Sequence, residues 1–241
     1  VSERTSPLLV DIGNTRIKYA YAESNPLNIS TLNCANIASL IPLLDDVPEV
    51  IVASVKNEGV VDQLKTLCDD RSIPLQHVTT EPQAFGIRCA YSEYKNLGVD
   101  RWLAVLGARL HTLGPVGVID LGTAATFDLV IDAQHVGGWI APGFALMKNA
   151  VTQNTSKVFG DDQLPESLSI GQGTAQCVNF GCQAMLEGFV LSAVRHLEQQ
   201  SKDYRIFVCG GNANLVEHMF NERIEHMPDI VLQGLSRYCQ K

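Results

Sequence analysis

The chain has 241 residues, 46% of them hydrophobic and 18% charged, and a formal net charge of −8. This is enough apolar material for one large domain or two modest ones, and too little charge for a disordered chain. The acidic balance, with no run of Lys and Arg, argues against a partner held through a nucleic-acid backbone.

The opening residues VSERTSP are polar, and Asp11 interrupts the apolar run that follows, so nothing there reads as a signal peptide. No stretch approaches the roughly 20 consecutive apolar residues of a membrane span. The expectation is a soluble, cytoplasmic protein. Residues Leu8 to Ala22 read as two strands about a turn at Gly13-Asn14, because Ile17, Tyr19 and Tyr21 alternate with Arg16, Lys18 and Ala20. EVIVASV (Glu49 to Val55) reads as a buried strand, GVVDQLKTLCDD (Gly59 to Asp70) as a helix and IPLQHV (Ile73 to Val78) as a strand. VDRWLAVLGARLH (Val99 to His111) reads as a helix with Asp100 in its first turn, and Gly114-Pro115 then breaks the chain. The second half restarts with strand, turn and strand over 116–131. GGWIAPG (Gly137 to Gly143) is expected as a glycine-rich loop and FALMKNAV after it as a helix. Residues 174–200 carry the longest helical pattern; its Gly181 and Gly188 are costly unless another backbone packs closely there. RIFVCGGNANLV (Arg205 to Val216) reads as strand, glycine turn and helix. Alternating strands and helices predict an α/β protein, divided near Gly114.

The seven Cys form no C-x-x-C pair, and the six His sit in no H-E-x-x-H or triad-like setting. Reduced, mostly buried thiols are expected, with no zinc site.

Two stretches nearly repeat each other at half-chain spacing: LLVDIGNTRIKYAYA from Leu8 and GVIDLGTAATFDLVI from Gly117. Each is an apolar run, an Asp, a glycine turn with small hydroxyl residues, and a second alternating run. Such a turn brings backbone N–H groups close to a phosphate. An Asp at the strand end can hold a divalent cation, directly or through water. A single copy is also an ordinary hairpin turn. Paired copies, with Gly210-Gly211 after a late strand, point to two lobes gripping one nucleoside polyphosphate. The chain has no G-x-x-x-x-G-K-[ST] and no G-x-G-x-x-G, which removes the main support for the other common nucleotide folds.

DIGNT (Asp11 to Thr15), LGVDRW (Leu97 to Trp102), DLGTAATFD (Asp120 to Asp128) and GGWIAPG occur in order. This set resembles the type III pantothenate kinases, relatives of the Bvg accessory factor proteins in the acetate and sugar kinase, Hsp70 and actin superfamily. The resemblance runs from Leu8 to about Gly211. It implies two similar ribonuclease H-like (actin-like ATPase) lobes, 1–113 and 114–241, each a mixed sheet with helices, and a nucleotide cleft between them. It implies transfer of phosphate from ATP to the primary hydroxyl of pantothenate, giving 4'-phosphopantothenate, the first step of coenzyme A biosynthesis. It also implies Mg²⁺, a monovalent cation (K⁺ or NH4⁺) and a homodimer.

By the same resemblance Asp100 is the catalytic base. Tyr91, Gly98, Val99, Asp100, Arg101 and Thr174 contact pantothenate, Arg101 offering a guanidinium suited to a carboxylate or phosphate. Asp11, Ile12, Gly13, Asn14, Thr15, Arg16, Ile17 and Lys18 bind ATP, with Asp11 also at Mg²⁺. Thr123, Gly210 and Gly211 complete the ATP set, and Asp120 holds the monovalent cation. Gly137, Gly138 and Gly143 admit the nucleotide closely. One departure stands out: Tyr94 occupies the place, three residues after Tyr91, where the family usually has Pro. Alternative readings are another small-molecule kinase of the superfamily, or a nucleotide-binding regulatory protein without kinase activity.

Overall fold

The computed structural model describes residues 6–23, 27–33, 37–56, 58–153 and 164–240. They fall into two compact units, Val1–His111 with Asp229–Lys241, and Thr112–Pro228.

In the first unit, β1 (Leu8–Ile12), β2 (Arg16–Tyr21) and β3 (Ser30–Asn33) form an antiparallel meander. β4 (Val50–Ser54) pairs parallel to β1, and β5 (Leu75–Val78) pairs parallel to β4, giving the order β3-β2-β1-β4-β5. Parallel neighbours need a crossover, and α1 (Glu58–Asp69) supplies it between β4 and β5. Every residue of β1 is buried, as befits a central strand covered on both faces. Leu8, Val10 and Ile12 share a core with Val61, Leu64 and Cys68, which lie on one face of α1. By strand alternation Leu9 and Asp11 turn to the other face. A short hairpin of β6 (Gln83–Ala84) and β7 (Ile87–Arg88) precedes α2 (Val99–Ala108), which is buried on nearly every side and packs on β4.

The second unit repeats the plan. β8 (Val116–Leu121), β9 (Ala124–Ile131) and β10 (Gln134–Pro142) form the meander. After α3 (Phe144–Gln153) and α4 (Thr174–Gln200), β11 (Arg205–Cys209) joins parallel to β8, and β12 (Ile224–His226) parallel to β11. The order β10-β9-β8-β11-β12 is that of the first sheet. Asp11 and Asp120 are each the penultimate residue of the first strand of their sheet. Cys182, Leu186, Val190, Ala193 and Leu197 of α4 pack against Ile119, Leu121, Phe127, Ile206 and Val208 of the sheet.

One expectation needs correction. GGWIAPG is not a loop but the second half of β10, paired with β9 from Gly137↔Leu129 to Pro142↔Ala124. A register shift between His135 and Gly137 precedes it, and cross-strand pairing outweighs the low strand preference of its glycines. Gly181 and Gly188 of α4 have nothing among the described residues within 4 Å of where a Cβ would stand.

α5 (Ile230–Ser236) follows β12 directly, whereas α2 follows β5 after the β6–β7 hairpin, and α5 packs along α2, β1 and β4. A methyl group at Gly234 would lie 1.9 Å from the Leu103 carbonyl oxygen, and one at Gly107 would lie 2.1 Å from that of Ile230. Only glycine permits two helix backbones to approach this closely. His111 Nε2 and Gln233 Oε1 are 2.5 Å apart, and Arg237 Nη1 donates to the Leu106 carbonyl at 2.9 Å. The Tyr238 hydroxyl donates to Glu81 Oε1 at 2.5 Å, and burial together with Glu81 pushes that phenol above its ordinary range. A division at Gly114 leaves residues 229–241 with the second half; these contacts are why they cluster with the first unit.

Candidate active site

In the first unit the turn after β1 closes with the Gly13 N–H donating to the Arg16 carbonyl at 3.0 Å. Asn14, Thr15 and Arg16 are exposed at its tip, while Ile17 is buried and anchors β2 in the core. Asp11 is 8% exposed and pairs across the ladder with Lys18. Opposite residues on antiparallel strands share a face, so the Asp11 carboxylate and the Lys18 ammonium belong to the same face of the sheet.

Asp100 lies in the first turn of α2, where the positive end of the helix favours a carboxylate. Its Oδ1 accepts the Arg101 backbone N–H at 2.8 Å, and Gly98 is the N-cap, with its carbonyl receiving the Trp102 N–H. Arg101 is only 7% exposed, and its Nη1 donates to the Tyr91 hydroxyl at 3.2 Å. Tyr91, Gly98, Val99, Asp100 and Arg101 are thus gathered within the first unit, four of them by the start of one helix.

In the second unit three segments meet at Asp120. Its Oδ1 would be 2.9 Å from a methyl group at Gly122 and 2.5 Å from one at Gly210, so the carboxylate is wedged between two glycine turns. Gly210 has φ +93°, a left-handed conformation that costs a side-chain-bearing residue about 1–2 kcal/mol. The Gly143 N–H donates to the Thr123 carbonyl at 3.1 Å, which ties the start of α3 to the same turn. Gly211 and Thr123 are exposed beside it. Thr174 is the first residue of α4, half-buried, with Gly173 as the N-cap.

Sequence reading passed over two features of this unit. Asn212 donates its backbone N–H to the Leu121 carbonyl at 2.9 Å and its Nδ2 to the Gly122 carbonyl at 3.4 Å. An Asn between a Gly-Gly turn and a helix was the available signal. Asp128 and His135, both buried, meet at 2.9 Å across β9 and β10. They are diagonal neighbours on one face, which the β10 register reveals and the sequence spacing does not.

The description of a family model, type III pantothenate kinase, matches residues 7–196. A type III pantothenate kinase of Pseudoalteromonas atlantica is 38% identical over 245 residues, covering 99% of each chain. The chain belongs to the type III pantothenate kinase family. Among solved structures, a Baf family protein of Campylobacter jejuni matches with TM-score 0.63 at 19% identity, over 97% of each chain. An activator of the 2-hydroxyisocaproyl-CoA dehydratase from Clostridium difficile, solved with ADPNP, matches with TM-score 0.54 at 11% identity, over 97% of this chain and 94% of its own. These likenesses establish the fold, the actin-like ATPase architecture with two mixed sheets.

For a type III pantothenate kinase the Tyr94 departure is mild. Tyr94 is the first residue of a 3₁₀ turn, Tyr94–Asn96, whose N-cap is Glu93 and whose end is closed by the Leu97 N–H on the Tyr94 carbonyl. That first position is where Pro is favoured, and here the turn forms with Tyr. A kinase using ATP generally implies Mg²⁺. Among the described residues no three His, Cys, Asp or Glu side chains gather into a metal cage. The Asp11 carboxylate beside the β1–β2 turn would suit Mg²⁺, which keeps several waters and takes one or two carboxylates plus substrate phosphates. Among the described residues one helix, α4, is long and apolar enough to cross a membrane, by length and composition alone; its core-facing side is occupied as described above.

Proposed function

We propose that this chain is an ATP-dependent pantothenate kinase that forms 4'-phosphopantothenate. The observation that carries the reading is the end-to-end match to type III pantothenate kinases, on a chain with Asp100 and Arg101 at the buried start of α2. Asp100 is the base. It orients the primary hydroxyl of pantothenate and takes its proton as that oxygen bonds to the γ-phosphorus. The bond from phosphorus to the β–γ bridging oxygen breaks, and ADP leaves with the electron pair. Phosphoryl transfer asks mainly for positioning and charge neutralisation, so one carboxylate suffices as base. Arg101, steadied by Tyr91, binds the pantothenate carboxylate, with Gly98, Val99 and Thr174 completing that subsite. The Asp11–Lys18 hairpin, Thr123 and the Gly210-Gly211 turn bind ATP. Mg²⁺, held through Asp11 and the phosphates, neutralises charge when bound. Asp120 ligates a monovalent cation, K⁺ or NH4⁺.

The working form in this reading is a cytoplasmic homodimer. α4 exposes Met185 (63%) and Leu191 (46%), and β10 exposes Ile140 (65%). Beside them Trp139, Met147, Leu186 and Phe189 line an apolar groove of about 480 Å³. Exposed apolar surface of this kind favours burial against a second copy. Light scattering after size exclusion should give twice the 26.3 kDa chain mass.

The deciding experiment is ADP release from Mg-ATP, with pantothenate added or withheld, in K⁺ and in Na⁺ buffer. Turnover should require pantothenate and rise with K⁺. Pantothenate-independent turnover, or none with folded ATP-binding protein, overturns the kinase reading. Equal rates in the two buffers overturn the cation site alone.

A further inference from the structure

We infer that Asn212 is a positioning residue for the nucleotide, acting as a brace between the Asp120 turn and the Gly210 turn. The inference rests on the reading that these turns hold ATP. Asn212 stands at the N-cap of the 3₁₀ segment Ala213–Met219, where an Asn side chain ordinarily caps the helix; here it makes no capping bond. Instead its amide reaches across to the Gly122 carbonyl while its backbone N–H holds the Leu121 carbonyl. The side chain is therefore spent on the neighbouring turn, and the side-chain and backbone bonds of Asn212 land on Gly122 and Leu121, the two residues after Asp120.

The brace is itself anchored. The Asn212 carbonyl accepts the Leu215 N–H at 3.0 Å, and the Leu215 carbonyl accepts Gln183 Nε2 of α4 at 2.9 Å. Gln183 is 1% exposed, so this bond is shielded from competing water. A continuous chain of hydrogen bonds thus runs from the interior face of α4, through the Ala213–Met219 segment, to the turn that carries Asp120. Gly210 is the pivot: its φ of +93° and its approach to Asp120 leave no room for adjustment by a side chain of its own. Without the brace the side-chain bond between the two turns is lost and the backbone bond from Asn212 to Leu121 remains, so the Gly122 carbonyl is held less firmly. Neither Asn212 nor Gln183 touches pantothenate in this reading, so the effect falls on one substrate.

The test compares wild type, Asn212→Ala and Asn212→Asp, the last isosteric but unable to donate to the Gly122 carbonyl at neutral pH. Steady-state kinetics give KM for ATP and for pantothenate, and calorimetric titration with Mg-ADP gives nucleotide affinity directly. Both variants should raise KM for ATP and weaken Mg-ADP about two- to tenfold, as loss of one partly buried side-chain hydrogen bond implies. KM for pantothenate and the thermal midpoint should hold. Gln183→Met, which keeps the volume and loses the donor, should shift the same two quantities in the same direction. Unchanged ATP parameters in folded Asn212 variants, an equal rise in both KM values, or failure of both variants to fold each overturn the brace. If wild type binds Mg-ADP but shows no pantothenate-dependent turnover, the kinase reading fails while the Mg-ADP arm still decides the role of Asn212.

Discussion

Gly234→Ala is a small change on a helix that bears no proposed site residue, yet it should impair both stability and turnover. The added methyl would sit 1.9 Å from the Leu103 carbonyl oxygen, against 3.4 Å or more for an ordinary contact, so α5 and α2 must part by about 1.5 Å. Overpacking against backbone falls at the upper end of the usual range, about 2–3 kcal/mol, and replacing a helical Gly by Ala returns about 1 kcal/mol. The net loss is about 1–2 kcal/mol, which for a chain of 241 residues lowers the melting midpoint by about 2–4 °C. Leu103 lies one turn from Asp100 on α2, so the displacement is felt at the proposed base. Misplacement of a catalytic group by ~1 Å costs up to about 100-fold in rate. Gly107→Ala presses on the Ile230 carbonyl from the other helix and should behave alike. The double variant should lose less than the sum, because one separation of the helices relieves both clashes. The assay is a thermal melt paired with pantothenate-dependent ADP release. A midpoint within about 1 °C of wild type together with kcat within about twofold would refute the argument, as would strict additivity of the two substitutions.

Asp100→Asn keeps the size of the side chain and should fold with an unchanged midpoint while kcat falls by about 10²–10⁴, the usual share of a general base. Near-normal kcat in the folded variant removes Asp100 from that role. His135→Ala takes from buried Asp128 its imidazole partner at 2.9 Å and leaves a void, and should cost about 2–4 kcal/mol in urea denaturation. A loss below about 1 kcal/mol would show the pair to be energetically idle. Burial pushes the Cys68 thiol up to about 11 from 9.0, with Asp69 raising it further and Arg71 opposing. A folded-state value above the unfolded one stabilises fully below pH 9 and loses that contribution as pH rises through 11. Wild type should therefore lose about 2–3 kcal/mol more than Cys68→Ala between those limits; parallel pH profiles for the two proteins would contradict this.

The strands and helices that hold the proposed site were legible because each is long or strongly patterned. Leu8–Ile12 and Val116–Leu121 are runs of buried aliphatic residues, each ended by a glycine turn. α4 keeps a core stripe from Cys182 to Leu197. The misreading of GGWIAPG has a physical origin: its strand character comes from pairing with β9, a long-range interaction that leaves no mark on local composition. α5 was invisible for a related reason. It has seven residues, nearly all buried, so it shows no amphipathic period, and its partner α2 lies more than a hundred residues earlier. Yet α5 is the element that completes the repeat. β3-β2-β1-β4-β5 and β10-β9-β8-β11-β12 run in the same order, each first strand has Asp as its penultimate residue before a glycine turn, and a helix comes after the last strand of each five, α5 directly after β12 and α2 after the β6–β7 hairpin. Those two helices pack on each other through one glycine apiece, Gly107 and Gly234. A chain that repeats itself this way makes equivalent elements with unequal duties: the first-repeat helix bears Asp100 and Arg101, and its counterpart bears no acid or base within its span and serves as the surface on which α2 is held. The opening repeat of two Asp-Gly hairpins is thus the most visible part of a repeated plan in which the second helix, α5, supports the first, α2.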